Sequence, residues 1–267
     1  SVFGNGHMLF AVNLPLSYLE VRIDDFVPRK NTPIVLCSKG KEDAHLVELG
    51  AARLISWGYT DVSILMGGLD AWEKAGFEVF SGVNVPSKAF GEFVEHAYDT
   101  PRVPPEEVKA TMDRGEKMVV LDSRPMSEYV QMNIPTGIDC PGAELAYRVH
   151  DLAPDPDTTV VVNCAGRTRS IIGAQSLINA GIPNKVVALE NGTMGWHLAG
   201  FQLERGQSRQ FTDLSEEAKP KARAVAERVA KRFGVPSCDH AQLAAWRAAG
   251  DRTTYVLDIR NPDEFEA

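Results

Sequence analysis

The chain is poor in cysteine, and the four it has, Cys37, Cys140, Cys164 and Cys238, form no CxxC pair and no cluster with histidine. That spacing excludes the common zinc sites, and no residue set calls for a metal or another cofactor. Scattered free thiols suit a reducing compartment, so a cytoplasmic protein is expected. No apolar run approaches the roughly 20 residues that a membrane span needs, so no membrane partner is expected. The opening SVFGNGHMLFAVNLP lacks a basic stretch followed by a sustained apolar one, and predicts no signal peptide. Positive charge is also in deficit. A formal net charge of −8 argues against a nucleic-acid partner, because phosphate binding rests on clustered Lys and Arg. A local cationic pocket for a small anion remains compatible with that balance.

What is present fits a soluble globular protein: 44% hydrophobic and 24% charged residues in 267, enough for one to three domains. The most informative feature is an internal repeat. Thr32 to Val79 and Thr158 to Leu203 each hold an apolar strand ending in cysteine, a helix closing in glycine (Gly58, Gly181) and a second short apolar strand. Each then has a glycine turn, a tryptophan (Trp72, Trp196) and the ending AGF. Cys37 to Trp72 is 35 residues and Cys164 to Trp196 is 32, so the loops after the two cysteines differ in length. A second repeat relates KMVVLDSRPMSEY (Lys117 to Tyr129) to TYVLDIRNPDEF (Thr254 to Phe265). Three domain bodies follow: 1–82 without its front part, 101–206 complete, and 235–267 as the start of a third. Between the last two, SEEAKPKARAVAERVAKRFG within 207–234 reads as a charged amphipathic linker helix packed on one face.

Continuous apolar strands such as MVVLD and TVVVN alternate with helices of about ten residues. That pattern predicts an α/β fold, mainly parallel sheets with helices on both faces, in tandem. Functional groups in such sheets collect at the carboxyl ends of strands, where Cys164 and Asp122 stand. Ser170 is the expected N-cap of the helix IIGAQSLINA and Gly181 its C-terminal stop. The loop Cys164, Ala165, Gly166, Arg167, Thr168, Arg169 then feeds a helix N-terminus, where backbone N–H groups converge on an anion. The thiolate of Cys164 is one such anion, which would make it the nucleophile. Arg167 and Arg169 offer forked donors to an oxyanion. Cys37, at the equivalent strand end, is a possible degenerate site. Cys140 and Cys238 read as small buried hydrophobes.

The elements LDSRPMSEY, NIPTGIDCPGAEL, CAGRTRS and ENGTMGWHLAGF resemble the rhodanese (sulfurtransferase) superfamily across the whole second domain. In the first copy GHMLFAVNLPLSYLE, the Cys37 strand and LMGGLDAWEKAGF match, and in the third only VLDIRNPDEFEA. The whole chain looks like a fragment of a protein with several such domains in tandem. The resemblance implies a thiosulfate sulfurtransferase: Cys164 takes the outer sulfur of a small anionic donor as a persulfide and passes it to cyanide, a thiol or an acceptor protein. It implies that loop residues Ala165 to Ser170 bind the donor and that Asp122 and Arg124 support them. A strand-end salt-bridge network with Glu128 is an equally open reading of that D-x-R pair. Two other functions stay open, a non-catalytic regulatory module or persulfide carrier, and a rhodanese-fold phosphatase. Phosphatases of this fold use Cys–x5–Arg, whereas this loop reads Cys–x4–Arg, a tighter cradle that favours sulfur over phosphate. The Cys37 loop carries Glu42 and Asp43 and no arginine, so the first domain is expected to be weak or inactive. Two readings of Val256 to Ile259 stay open: a strand that completes the first sheet, or the loose end of a fragment.

Overall fold

The computed structural model describes residues 2–260 and 262–266. Along the chain run α1 (Val2–Asn5), α2 (Leu19–Phe26), β1 (Ile34–Leu36), α3 (Ala44–Ser56), β2 (Val62–Ile64) and α4 (Gly68–Lys74). Next come α5 (Val85–Tyr98), β3 (Arg102–Val103), α6 (Pro105–Asp113), β4 (Met118–Asp122), α7 (Met126–Tyr129), β5 (Ile138–Asp139) and α8 (Leu145–Leu152). Then follow β6 (Thr159–Asn163), α9 (Thr168–Ala180), β7 (Val186–Leu189), α10 (Gly192–Leu198), α11 (Ala218–Arg232), α12 (His240–Ala248) and α13 (Pro262–Glu266). The chain divides into two compact units, 1–85 with 237–267, and 86–236. Both carry parallel strands flanked by helices, the α/β class read from the alternation of apolar strands and helices.

The second unit is built on a five-stranded parallel sheet in the order β3-β7-β6-β4-β5. Alternation along its strands explains why they read as unbroken apolar runs. Val160 and Val162 face a cluster with Leu145, Val149, Ile171, Ala174 and Leu177 from α8 and α9. Val161 and Val120 face the other way, against Val108 of α6 and Trp196 of α10. Burial on both faces leaves the strand's polar residues to its carboxyl end, where Asn163 and Cys164 emerge.

Helix α9 buries Ile171, Ala174 and Leu177 at three-residue spacing and stops at Gly181, whose φ of 69° is left-handed. The charged helix α11 lays Ala218, Ala222 and Val225 inward, and its Arg228 and Arg232 donate to the carbonyls of Ala180 and Asn179. Two arginines thus satisfy the end of α9, where unpaired carbonyls and the negative end of the helix dipole favour cations.

The first unit has a two-stranded parallel sheet, β1 with β2, over a core of Leu19, Ile23, Leu54 and Tyr59. The repeated tryptophan has the same task in both units. Trp72 stacks on Phe77 and donates to the carbonyl of Glu78, and Trp196 packs on Phe201 and donates to that of Gln202.

Of the two readings of Val256 to Ile259, completion of the first sheet is ruled out. Val256, Leu257 and Ile259 are 61%, 80% and 96% exposed, and the segment belongs to no strand. Side chains hold this region instead: Thr254 Oγ1 donates to the carbonyl of Trp246 and Tyr255 Oη to that of Phe26. A strand-like sequence carries local propensity, but pairing also needs an edge presented in register.

Candidate functional site

Strand β6 ends at Asn163 and delivers Cys164, only 2% exposed, to the carboxyl edge of the sheet. The carbonyl of Cys164 accepts from the backbone N–H of Thr193 at 2.8 Å and from its Oγ1 at 3.1 Å. The carbonyl of Ala165 accepts from Met194 N–H at 3.1 Å. The first turn of α10 therefore holds these carbonyls on its own side. Because a trans peptide sets C=O and N–H in opposite directions, the N–H groups of Ala165 and Gly166 turn away from α10.

Gly192 makes this contact possible. Its φ is 53°, and a Cβ there would lie 2.2 Å from the carbonyl oxygen of Cys164 and 2.7 Å from that of Gly166. Only a residue without a side chain lets the two backbones approach so closely.

Ser170 is not the N-cap. Helix α9 begins at Thr168 with Arg167 in the capping position and no side-chain cap, so Ser170 is its third residue. Its hydroxyl lies 3.6 Å from Cys164 Sγ, which donates to it, and itself donates to the carbonyl of Arg167 at 2.8 Å. Serine bonding back to the carbonyl three residues earlier is a common use of a short hydroxyl side chain in a first turn. Here it also gives the thiol an acceptor.

Both loop arginines are engaged with carboxylates. Arg169 forks onto Glu128 with two contacts of 2.8 Å. The pair holds the Glu128 carboxyl below its usual range. Glu128 likewise pushes the Arg169 guanidinium up, with smaller attractions from Cys164 and Asp122. Arg167 instead turns to α5, 3.1 Å from Glu92 and paired with Glu95, which also lies 2.9 Å from Arg102.

Asp122 and Arg124 form a buried fork, Nε and Nη2 each 2.8 Å from a carboxylate oxygen, and Arg124 Nη2 also donates to the carbonyl of Met132. Glu128 stays out of this fork and serves Arg169. Asn163 Nδ2 joins Asp122 at 2.7 Å and Thr193 Oγ1 at 3.1 Å. Beside it, Asp139 is buried with no hydrogen-bond partner on either carboxylate oxygen, and burial, then the charge of Asp122, pushes it up to about 6. Cys140 is buried as read from the sequence, and its thiol is pushed up to about 12, chiefly by burial. Cys238, expected to be buried as well, is exposed.

The first unit corrects the expected equivalence of Cys37 and Cys164. Leu69 and Thr193 both stand three residues before the repeated tryptophan. Leu69 N–H meets the carbonyl of Ser38, whereas Thr193 N–H meets that of Cys164. The sheet register agrees, since Leu36 faces Ile64 as Val162 faces Ala188. Ser38 thus occupies the place of Cys164, and Cys37 that of Asn163. One residue of slippage in an apolar run is invisible to sequence spacing, but hydrogen bonds settle it.

The corresponding loop holds an anion of its own. Asp43 accepts from Lys39 N–H and Gly40 N–H, both at 2.9 Å. These are the counterparts of Ala165 and Gly166. The two amides hold the Asp43 carboxyl below its usual range, and partial loss of solvent, then the charge of Asp43, pushes the Cys37 thiol at the surface up.

Sequence reasoning missed Asn163, Gly192, Thr193, Glu92 and Glu95. The repeated glycine turn before each tryptophan was a signal for Gly192 and Thr193, and the asparagine ending a valine run was one for Asn163. Nothing local pointed to Glu92 and Glu95. Among the described residues no group of three His, Cys, Asp or Glu is placed to hold a metal, and no helix is long and apolar enough to cross a membrane.

The family model of the rhodanese-like domain matches residues 2–75 and 104–199. The crystal structure of a thiosulfate sulfurtransferase from Pseudomonas aeruginosa is 54% identical, with a TM-score of 0.92, covering 99% of this chain and 50% of that one. An HTH-type transcriptional regulator of Mycobacterium tuberculosis is 33% identical over 94 residues, 35% of this chain and 40% of its own length. The chain therefore spans half the length of the solved relative and less of the curated one. By these matches the chain belongs to the rhodanese-like family and carries its domains in tandem.

Proposed function

We propose that the chain is a sulfurtransferase that moves sulfane sulfur from thiosulfate, or a related anionic donor, through a persulfide on Cys164. The observation that carries this reading is the loop after Cys164. Its two leading amides match a pair that, in the first unit, binds a carboxylate through backbone N–H groups. An anion cradle beside a thiol at a strand end is the apparatus this chemistry needs. The name of the 54% identical relative supports the same reading.

The Cys164 thiolate attacks the outer sulfur of thiosulfate, a sulfur–sulfur bond forms, and sulfite leaves with the electrons of the broken bond. Cyanide, a thiol or an acceptor protein then takes the terminal sulfur and returns the thiolate. Two half-reactions sharing one covalent intermediate give ping-pong kinetics. Residues Ala165 to Ser170 form the donor site, while Asp122 and Arg124 stiffen the strand end behind it. In this reading 101–206 is the catalytic domain, 1–82 an inactive one, 207–234 its connecting helix and 235–267 the start of a third. Four unpaired thiols suit the cytoplasm.

Mass spectrometry after thiosulfate treatment tests this. A gain of one sulfur atom confined to the Cys164 peptide, absent in Cys164→Ser and discharged by cyanide, is expected. No adduct would favour a binding module, and phosphate-monoester hydrolysis lost in Cys164→Ser would favour a phosphatase.

A further inference from the structure

Arg167 belongs to the loop, yet its charge is spent elsewhere. Glu92 and Glu95 stand three residues apart on α5, so both project from one helix face. Glu92 lies 3.1 Å from Arg167 Nη1 and Glu95 pairs with Nη2, while Glu95 also meets Arg102 at 2.9 Å. Glu95 is buried and Glu92 half exposed. The helix is seated tightly at this point, since a Cβ on Gly91 would lie 2.8 Å from Thr168 Cγ2. Arg167 thus starts α9 with two carboxylates against it, the opposite of what a dianion needs at that position.

Next to Arg167 is a cavity of about 180 Å³, lined also by Arg102, Ile171, Leu189, Glu190 and Asn191. It gives the guanidinium room to change partners. We propose that Glu92 and Glu95 act as a carboxylate latch on Arg167, holding it off the Cys164 loop until an anionic donor displaces them. They are positioning residues: they set how tightly the loop takes a dianion and touch no reacting atom. The identity of the donor rests on the sulfurtransferase reading, but the latch does not.

Glu92→Gln removes one latch charge at a half-exposed position, so folding is safe. It is expected to lower the KM for thiosulfate about three- to tenfold, with kcat within about twofold, and to steepen the dependence of KM on salt. Glu92→Asp keeps the charge and is expected to behave as wild type. A second measurement needs no turnover: the ratio of Cys164 alkylation rates by anionic iodoacetate and neutral iodoacetamide. Freeing Arg167 raises that ratio in Glu92→Gln, and more in Glu95→Gln. Glu107→Gln, the same charge change on α6, leaves both readouts where they were. An unchanged KM and alkylation ratio in Glu92→Gln, or an equal shift in Glu107→Gln, would overturn the latch. A raised ratio in a protein that takes no sulfur from thiosulfate would support the latch and sink the donor instead.

Discussion

Asn163 Nδ2 donates to Asp122 Oδ2 at 2.7 Å, and through that bond the strand end carrying Cys164 is tied to a buried ion pair. Asn163 also reaches Thr193 Oγ1, which donates to the carbonyl of Cys164. A chain of polar contacts thus runs from the Asp122–Arg124 fork to the backbone of the cysteine without touching its sulfur. Its effect is on position: the fork fixes Asn163, and Thr193 fixes the loop.

Removing one partner of that fork is expected to be costly. Asp122→Ala leaves the Arg124 guanidinium buried and uncompensated, which costs about 3–5 kcal/mol. The same D-x-R fork recurs at Asp258 and Arg260, but there it is solvent-exposed. Asp258→Ala is expected to leave the unfolding midpoint unchanged. Denaturant unfolding of both variants checks the contrast, and equal losses would refute it.

Gly192→Ala tests the clamp of α10 on the loop. The added Cβ meets two backbone oxygens at 2.7 Å or less, so the Cys164 loop must move. Sulfur loading of Cys164 is expected to fall on the order of a hundredfold, because small displacements of a reacting group are expensive. Single-turnover loading, read beside the unfolding curve, separates displacement from unfolding.

The pH dependence of stability is expected to carry the mark of Asp139. Its folded pKa of about 6 lies above the ordinary 3.8, so the folded state holds a proton that the unfolded chain releases. Below about pH 4 both states are protonated and nothing is lost. As pH rises through 6 the folded state is penalised, by about 2–3 kcal/mol at saturation. Asp139→Asn is therefore expected to be more stable than wild type near neutral pH, with the gain vanishing near pH 4. Urea titrations at both ends of that range read the effect, and a gain of equal size at low pH would contradict it.

The first unit offers a constructive test. Ser38→Cys places a thiol where Cys164 stands in the second unit, yet Asp43 occupies the loop amides. No sulfur adduct on that peptide is expected from the single variant. Ser38→Cys with Asp43→Asn removes the internal anion, and an adduct is then expected. Loading of the single variant, seen by mass spectrometry, would show that Asp43 does not close the loop.

Much of the fold was legible because its causes are local or periodic. Valine runs buried on both faces marked the parallel strands, the run IIGAQSLINA marked α9, and Gly181 marked its end. The cysteine loop was legible as a likeness of residues in order. Ser170 was misplaced by three positions, because a serine ahead of an apolar helix reads as a cap unless its carbonyl partner is visible. Cys37 was taken for the counterpart of Cys164 because two adjacent small residues end the same strand.

The D-x-R motif separates the two levels of control. The fork is local, since two residues of spacing bring guanidinium to carboxylate in both Asp122–Arg124 and Asp258–Arg260. Long-range packing is what buries one fork behind a cysteine and leaves the other in water. The same holds for the arginines of the loop. Their spacing from Cys164 was written in the chain, but their partners came from α5 and α7, 41 to 75 residues upstream. Carboxylates so distant in sequence find those guanidiniums only once the sheet has formed and its helices have been laid against it.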